Sequence, residues 1–68
     1  MTNTTLLEKF IAESGYKRSY LAKCIGITSY ALARKISNKS EFKGSEMDIL
    51  CKLLNIDVEN RMAIFFAQ

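Results

Sequence analysis

The chain has 68 residues, with ten Lys plus Arg against seven Asp plus Glu, two Cys, and no His, Pro or Trp. One small domain fits that length, near the lower limit for an unstapled core; two Cys cannot build a disulfide framework, and without His the commonest general base and metal ligand is missing. The net charge of +3 conceals a split: residues 17–43 hold seven basic side chains against Glu41, net +6, while residues 1–16 sum to −1 and residues 44–68 to −2, the pattern of a localised polyanion-binding face.

Without Pro, and with three widely spaced Gly, the chain suits an all-α fold of four to five helices in one domain spanning residues 1–68. The first helix is predicted from Thr4 or Thr5. Thr5-Leu6-Leu7-Glu8 fits a capping box, in which hydroxyl and carboxylate satisfy free amide donors. Leu7, Phe10, Ile11 and Ser14 follow helical spacing, and Gly15 stands where a left-handed residue ends a helix. A second helix is expected from Arg18 to Cys24 with Leu21, Ala22 and Ile25 inward, broken at Gly26. Thr28 can cap a third, extending to Ser37. With Leu32 and Ile36 inward at about 100° per residue, Tyr30, Arg34 and Ser37 fall outside and Ala33 lies between. Residues 38–44 read as a loop with Phe42 tucked into the core. Ser45 offers the next cap, and Met47, Leu50, Cys51 and Leu54 mark a fourth buried stripe that Asn55 can close.

Asp57 can cap a final segment, Val58 to Phe66. As a helix it places Val58, Met62 and Phe65 on one face; as a strand it alternates Met62, Ile64 and Phe66 with Ala63, Phe65 and Ala67. Either way a domain this small has little core to cover them all, so the tail at 57–68 is expected to pair two copies through Met62, Ile64, Phe65 and Phe66. Its apolar run, Met62 to Ala67, is far below the roughly 20 residues of a membrane span. Glu8 and Lys9 interrupt the place where a signal peptide needs its apolar stretch. A soluble protein of the bacterial cytoplasm is the expectation, with no membrane partner.

The stretch RSYLAKCIGITSYALARKIS, Arg18 to Ser37, resembles the helix-turn-helix of phage repressor and Cro-type proteins, the lambda-repressor-like or XRE family. Small Ala22 suits a close helix crossing, Gly26 a tight turn, and Ile25, Ile27 and Leu32 a small core that fixes the crossing angle. Leu50-Cys51 and Leu54-Asn55-Ile56 resemble the family's fourth helix. Two positions depart from its pattern: Lys17 stands where a capping Ser, Thr or Asn is common, and Asn55 where Gly is usual.

The resemblance implies a sequence-specific regulator of transcription, of phage or mobile-element type, that sets its second motif helix in the major groove of double-stranded operator DNA as a homodimer. It places Thr28, Ser29, Tyr30, Ala33 and Arg34 over base edges. It places Lys17, Arg18, Asn38, Lys39 and Lys43 at phosphates, which fix register without reading sequence. The blander alternatives are a solvated or carboxylate-paired Arg34, a Tyr30 resting on Arg34, solvated loop lysines, and Cys24 and Cys51 that pack without reacting. A rival function is a protein-binding module, an anti-repressor or antitoxin, on the same scaffold. An enzyme would need converging acid, base or nucleophile, and no carboxylate pair shares a face. No catalytic residue, metal, cofactor or small-molecule ligand is expected.

Overall fold

A computed structural model describes residues 1–67 and contains, among them, five α-helices and no strand: α1 (Thr4–Ser14), α2 (Arg18–Ile25), α3 (Ser29–Ile36), α4 (Gly44–Leu54) and α5 (Val58–Phe65). Helices of 8 to 11 residues are too short to persist alone in water. Their ends and shared core must hold them.

Three of the ends use one device. After α2, Gly26 (φ +89°) turns the chain left-handed, the Ile27 amide donates to the Ala22 carbonyl at 3.0 Å, and the Gly26 amide reaches the Lys23 carbonyl at 3.2 Å. After α3, Asn38 (φ +67°) does the same, with Lys39 N–H donating to the Arg34 carbonyl at 2.8 Å and Asn38 N–H to the Lys35 carbonyl at 3.3 Å. After α4, Asn55 (φ +56°) takes the turn and Ile56 N–H donates to the Cys51 carbonyl at 2.9 Å. Asn tolerates this region better than other non-Gly residues, so Asn55 fulfils the role expected of it.

The beginnings differ from expectation twice. Asn3, not Thr5, caps α1: its Oδ1 accepts from Leu6 N–H at 3.1 Å, while the Thr4 hydroxyl donates to the Ile36 carbonyl. Helix α4 starts at Gly44, with Lys43 rather than Ser45 in the capping position. A Lys side chain cannot accept a hydrogen bond, and Glu46 provides the capping contact by accepting Lys43 N–H at 2.7 Å. Thr28 and Asp57 cap α3 and α5 as the sequence predicts, accepting from Ala31 N–H at 3.0 Å and Asn60 N–H at 2.8 Å.

The core gathers Leu7 and Ile11 from α1, Leu21 and Ala22 from α2, Leu32 and Ile36 from α3, and Leu50, Cys51 and Leu54 from α4. Phe42 enters from the loop and meets Phe65 edge-on at 5.3 Å between ring centroids. Each of these large aliphatic side chains contributes about 1.5–3 kcal/mol by leaving water.

The tail is a helix, and its inward face is not the one expected. Ile64 and Phe65 lie inside the core, whereas Val58, Met62 and Phe66 are exposed. Two contacts accompany this rotation. Arg61 pairs with Asp48 of α4 at 2.7 Å, and the Ile64 carbonyl accepts Asn3 N–H at 2.6 Å. With them the 61–64–65 stripe faces α4 and α1. Ile64 and Phe65 are therefore not free to face a second copy; of the four tail residues expected at an interface, Met62 and Phe66 are 55% and 53% exposed.

Candidate nucleic-acid interface

Helices α2 and α3 join through Gly26–Thr28, three residues whose backbone bonds close the turn, and they pack directly on one another. Leu21 and Ala22 face Leu32 and Ile36 across a buried seam, with Ile25 and Ile27 half-buried beside it. The seam sets α3 at a fixed angle and leaves its opposite side to solvent.

That outer side carries Thr28, Ser29, Tyr30 and Ala33, all exposed, Tyr30 at 73%. Eight helical residues make α3 about 12 Å long, comparable with the roughly 12 Å width of the major groove. The Thr28 hydroxyl oxygen accepts the Ala31 amide with one lone pair, so it can still offer a ligand its proton and its second lone pair. Arg34 is half-buried, and its Nη2 donates to the Lys39 carbonyl at 3.2 Å. It is thus tethered to the loop backbone rather than paired with a carboxylate, and its remaining N–H donors are left over.

The residues expected at phosphates sort into three groups. Lys17, Lys39 and Lys43 are exposed and make no ion pair among the described residues. Arg18 is exposed but pairs with Glu8 of α1 at 2.8 Å, a contact whose worth at the surface is about 0–1 kcal/mol. The Asn38 amide is engaged within the protein: Oδ1 accepts Thr2 N–H at 2.8 Å and Nδ2 donates to the Thr2 carbonyl at 2.8 Å. Both polar atoms of the amide serve the protein's own backbone.

Several residues around this face escaped the sequence reading. Lys35, counted in the basic block, points inward to Glu46 of α4 at 2.7 Å, with side-chain exposures of 12% and 7%. Burial alone pushes the Glu46 carboxyl up, but hydrogen bonds from Lys35 and from Lys43 N–H outweigh it and hold the group below its ordinary value. Tyr16 and Tyr20 stack at 5.2 Å with their rings part-exposed, on either side of Lys17 in sequence. A hydrogen bond with Cys24 raises the Tyr20 hydroxyl pKa. Cys51 packs in the core, where burial raises its thiol pKa. Among the described residues no cluster of His, Cys, Asp and Glu could hold a metal ion, and no helix is long and apolar enough to cross a membrane.

Two helices crossing over a Gly turn, with the second exposed along one flank and lysines at its margins, define a helix-turn-helix domain. A family model described as the Cro/C1-type HTH DNA-binding domain matches residues 6–60. The chain belongs to that family. Comparison with curated proteins and with solved structures gives no match.

Proposed function

We propose that this protein is a sequence-specific transcriptional regulator, a Cro-like or minimal repressor of phage or mobile-element type, acting in the bacterial cytoplasm on double-stranded operator DNA. The observation that carries the reading is the exposed flank of α3, Ser29, Tyr30 and Ala33, bordered by the cations Lys17, Lys39 and Lys43, which make no ion pair among the described residues. Helix α3 lies in the major groove, with Thr28, Ser29, Tyr30, Ala33 and Arg34 over base edges. Arg34, tethered at one nitrogen, keeps donors for guanine O6 and N7; Ala33 meets a thymine methyl. Lys17, Arg18, Lys39 and Lys43 hold phosphates. Two copies associate about a two-fold axis through Met62 and Phe66, so that two α3 helices read half-sites about one DNA turn apart.

Duplex binding across a salt series tests this. Four phosphate-holding cations per copy give a slope of log K against log salt of about −4 for a monomer and about −7 for a dimer. A duplex affinity that does not respond to salt refutes the reading, and favours instead a protein-binding role for the same scaffold.

A further inference from the structure

The N-terminal residues form a strap that ties together three helix ends. Thr2 is held through both its N–H and its carbonyl by the Asn38 amide, each at 2.8 Å, across 36 residues of sequence. The next residue, Asn3, caps α1 with its side chain and donates its N–H to the Ile64 carbonyl in α5. Thr4 donates its hydroxyl to the Ile36 carbonyl at the end of α3. Carbonyls at the C-terminal ends of α3 and α5, which have no partner within their own helices, are satisfied by this strap.

Asn38 is the one side chain that joins the strap to the loop between α3 and α4. The loop's other hydrogen bonds are local: Lys39 and Ser40 amides on the Arg34 carbonyl at 2.8 and 3.3 Å, Arg34 Nη2 on the Lys39 carbonyl, and the Lys43 amide on Glu46; its far half, toward Lys43, is also held by Phe42 in the core. Its backbone requirement at position 38 is a left-handed φ, which Gly meets with less strain than Asn. What Asn adds over Gly is the amide, and the amide goes to Thr2. On either side of this anchored stretch stand Lys39 and Lys43, exposed and without a carboxylate partner among the described residues.

We propose that Asn38 is a positioning residue for DNA binding: by clasping Thr2 it fixes the near half of the loop so that Lys39 meets the phosphate backbone beside α3, while the amide itself touches no DNA. The proposal rests on the DNA-binding reading above. Its physical content is preorganisation. A lysine on an anchored backbone loses less freedom on contacting a phosphate than one on a swinging loop, and loosening the loop weakens phosphate contacts without altering the face that reads bases.

The test is Asn38→Gly, which keeps the left-handed turn and removes the clasp, with Asn38→Asp as a second variant that retains an acceptor for Thr2 N–H but cannot donate to its carbonyl. Affinity for a preferred duplex and an unrelated one is measured across salt, well below the melting temperature. Asp57→Ala, which removes the α5 cap, controls for simple loss of stability. The expected result is a several-fold loss in Asn38→Gly, equal for both duplexes, with a slope shallower by about one unit for the loosened Lys39 contact. Lys39→Ala should also cost less in the Asn38→Gly background than in the wild type, since both act on one contact. A loss of affinity with an unchanged slope would make Asn38 a direct neutral contact and overturn the proposal. So would unaltered binding, full additivity with Lys39→Ala, or the same slope change in Asp57→Ala. Absence of salt-dependent binding in the wild type itself overturns the DNA-binding reading instead.

Discussion

Glu46 gives the sharpest expectation about stability. Its Oε1 receives both the Lys35 ammonium at 2.7 Å and the Lys43 amide at 2.7 Å, so one oxygen caps α4 and ties α3 to it. Both side chains are nearly out of water, and hydrogen bonds to charged groups are worth about 1.5–3 kcal/mol each. Glu46→Ala removes both and leaves a buried ammonium without a counter-charge, a loss of about 3 kcal/mol or more. A domain of this length has about 3–10 kcal/mol in all, so urea unfolding followed by helical circular dichroism should give a much lower midpoint or no folded baseline.

Glu46→Gln is the finer probe. It keeps an acceptor for the Lys43 amide and deletes only the charge, so about 2 kcal/mol should go. Because the folded carboxyl titrates below its ordinary value of 4.5, its contribution is full above that value and fades as pH falls through the lower, folded pKa. The gap between wild type and Glu46→Gln should therefore hold from pH 7 to about 5 and shrink progressively as pH falls below the ordinary value toward the lower, folded one. Lys35→Met combined with Glu46→Gln should recover part of the loss, since a neutral pair leaves no buried charge uncompensated. Equal stability of wild type and Glu46→Gln at pH 7, or a gap that does not respond to acid, refutes this account.

Other substitutions separate roles that lie close together. Phe65→Asp puts a charge in the core and should abolish the folded circular dichroism signal, whereas Phe66→Asp should leave the melting curve nearly unchanged and shift sedimentation toward the monomer. Gly26→Ala meets no atom within 4 Å, so its cost is conformational alone, about 1–2 kcal/mol for a left-handed Ala, read as a lower urea midpoint with unchanged m. Asn55→Gly should stabilise by a few tenths of a kcal/mol and Asn55→Ala should destabilise by about 1 kcal/mol. Arg34→Ala should relax base preference at one position of each half-site in a binding-site selection, and it should also loosen the loop it is tethered to.

What the sequence carried well was local. The caps at Thr28 and Asp57, the terminators Gly15, Gly26 and Asn55, and the inward stripe of α3 each depend on residues within one turn of each other, and nearby geometry dominates there. What it hid depends on distant partners. Thr5 and Glu8 make an acceptable capping box, but Thr4 is drawn to Ile36 and the cap falls two residues earlier, at Asn3. The tail was ambiguous for the same reason. Val58, Met62 and Phe65 form as good a stripe as Arg61, Ile64 and Phe65, and only partners distant in sequence, Phe42 against Phe65 and the bonds to Asp48 and Asn3, go with the second. An arginine on the inner side of a helix is a poor signal of burial until its carboxylate is known.

The charge of the middle segment follows the same logic, and it changes what a binding experiment should count. Seven cations lie between residues 17 and 43, yet Arg18 is paired with Glu8 and Lys35 with Glu46, acids outside that segment. Five cations remain unpaired among the described residues, and Glu41 reduces their net charge to +4. The two pairs are not equivalent. Arg18 and Glu8 are both about half exposed, so a phosphate can displace the glutamate at little cost. Lys35 and Glu46 are nearly buried, and drawing Lys35 to a phosphate would break the α4 cap contact as well. Counterion release should therefore register Arg18 and not Lys35. Lys35→Gln ought to lower stability while leaving the salt slope where it was, and Arg18→Gln ought to do the reverse.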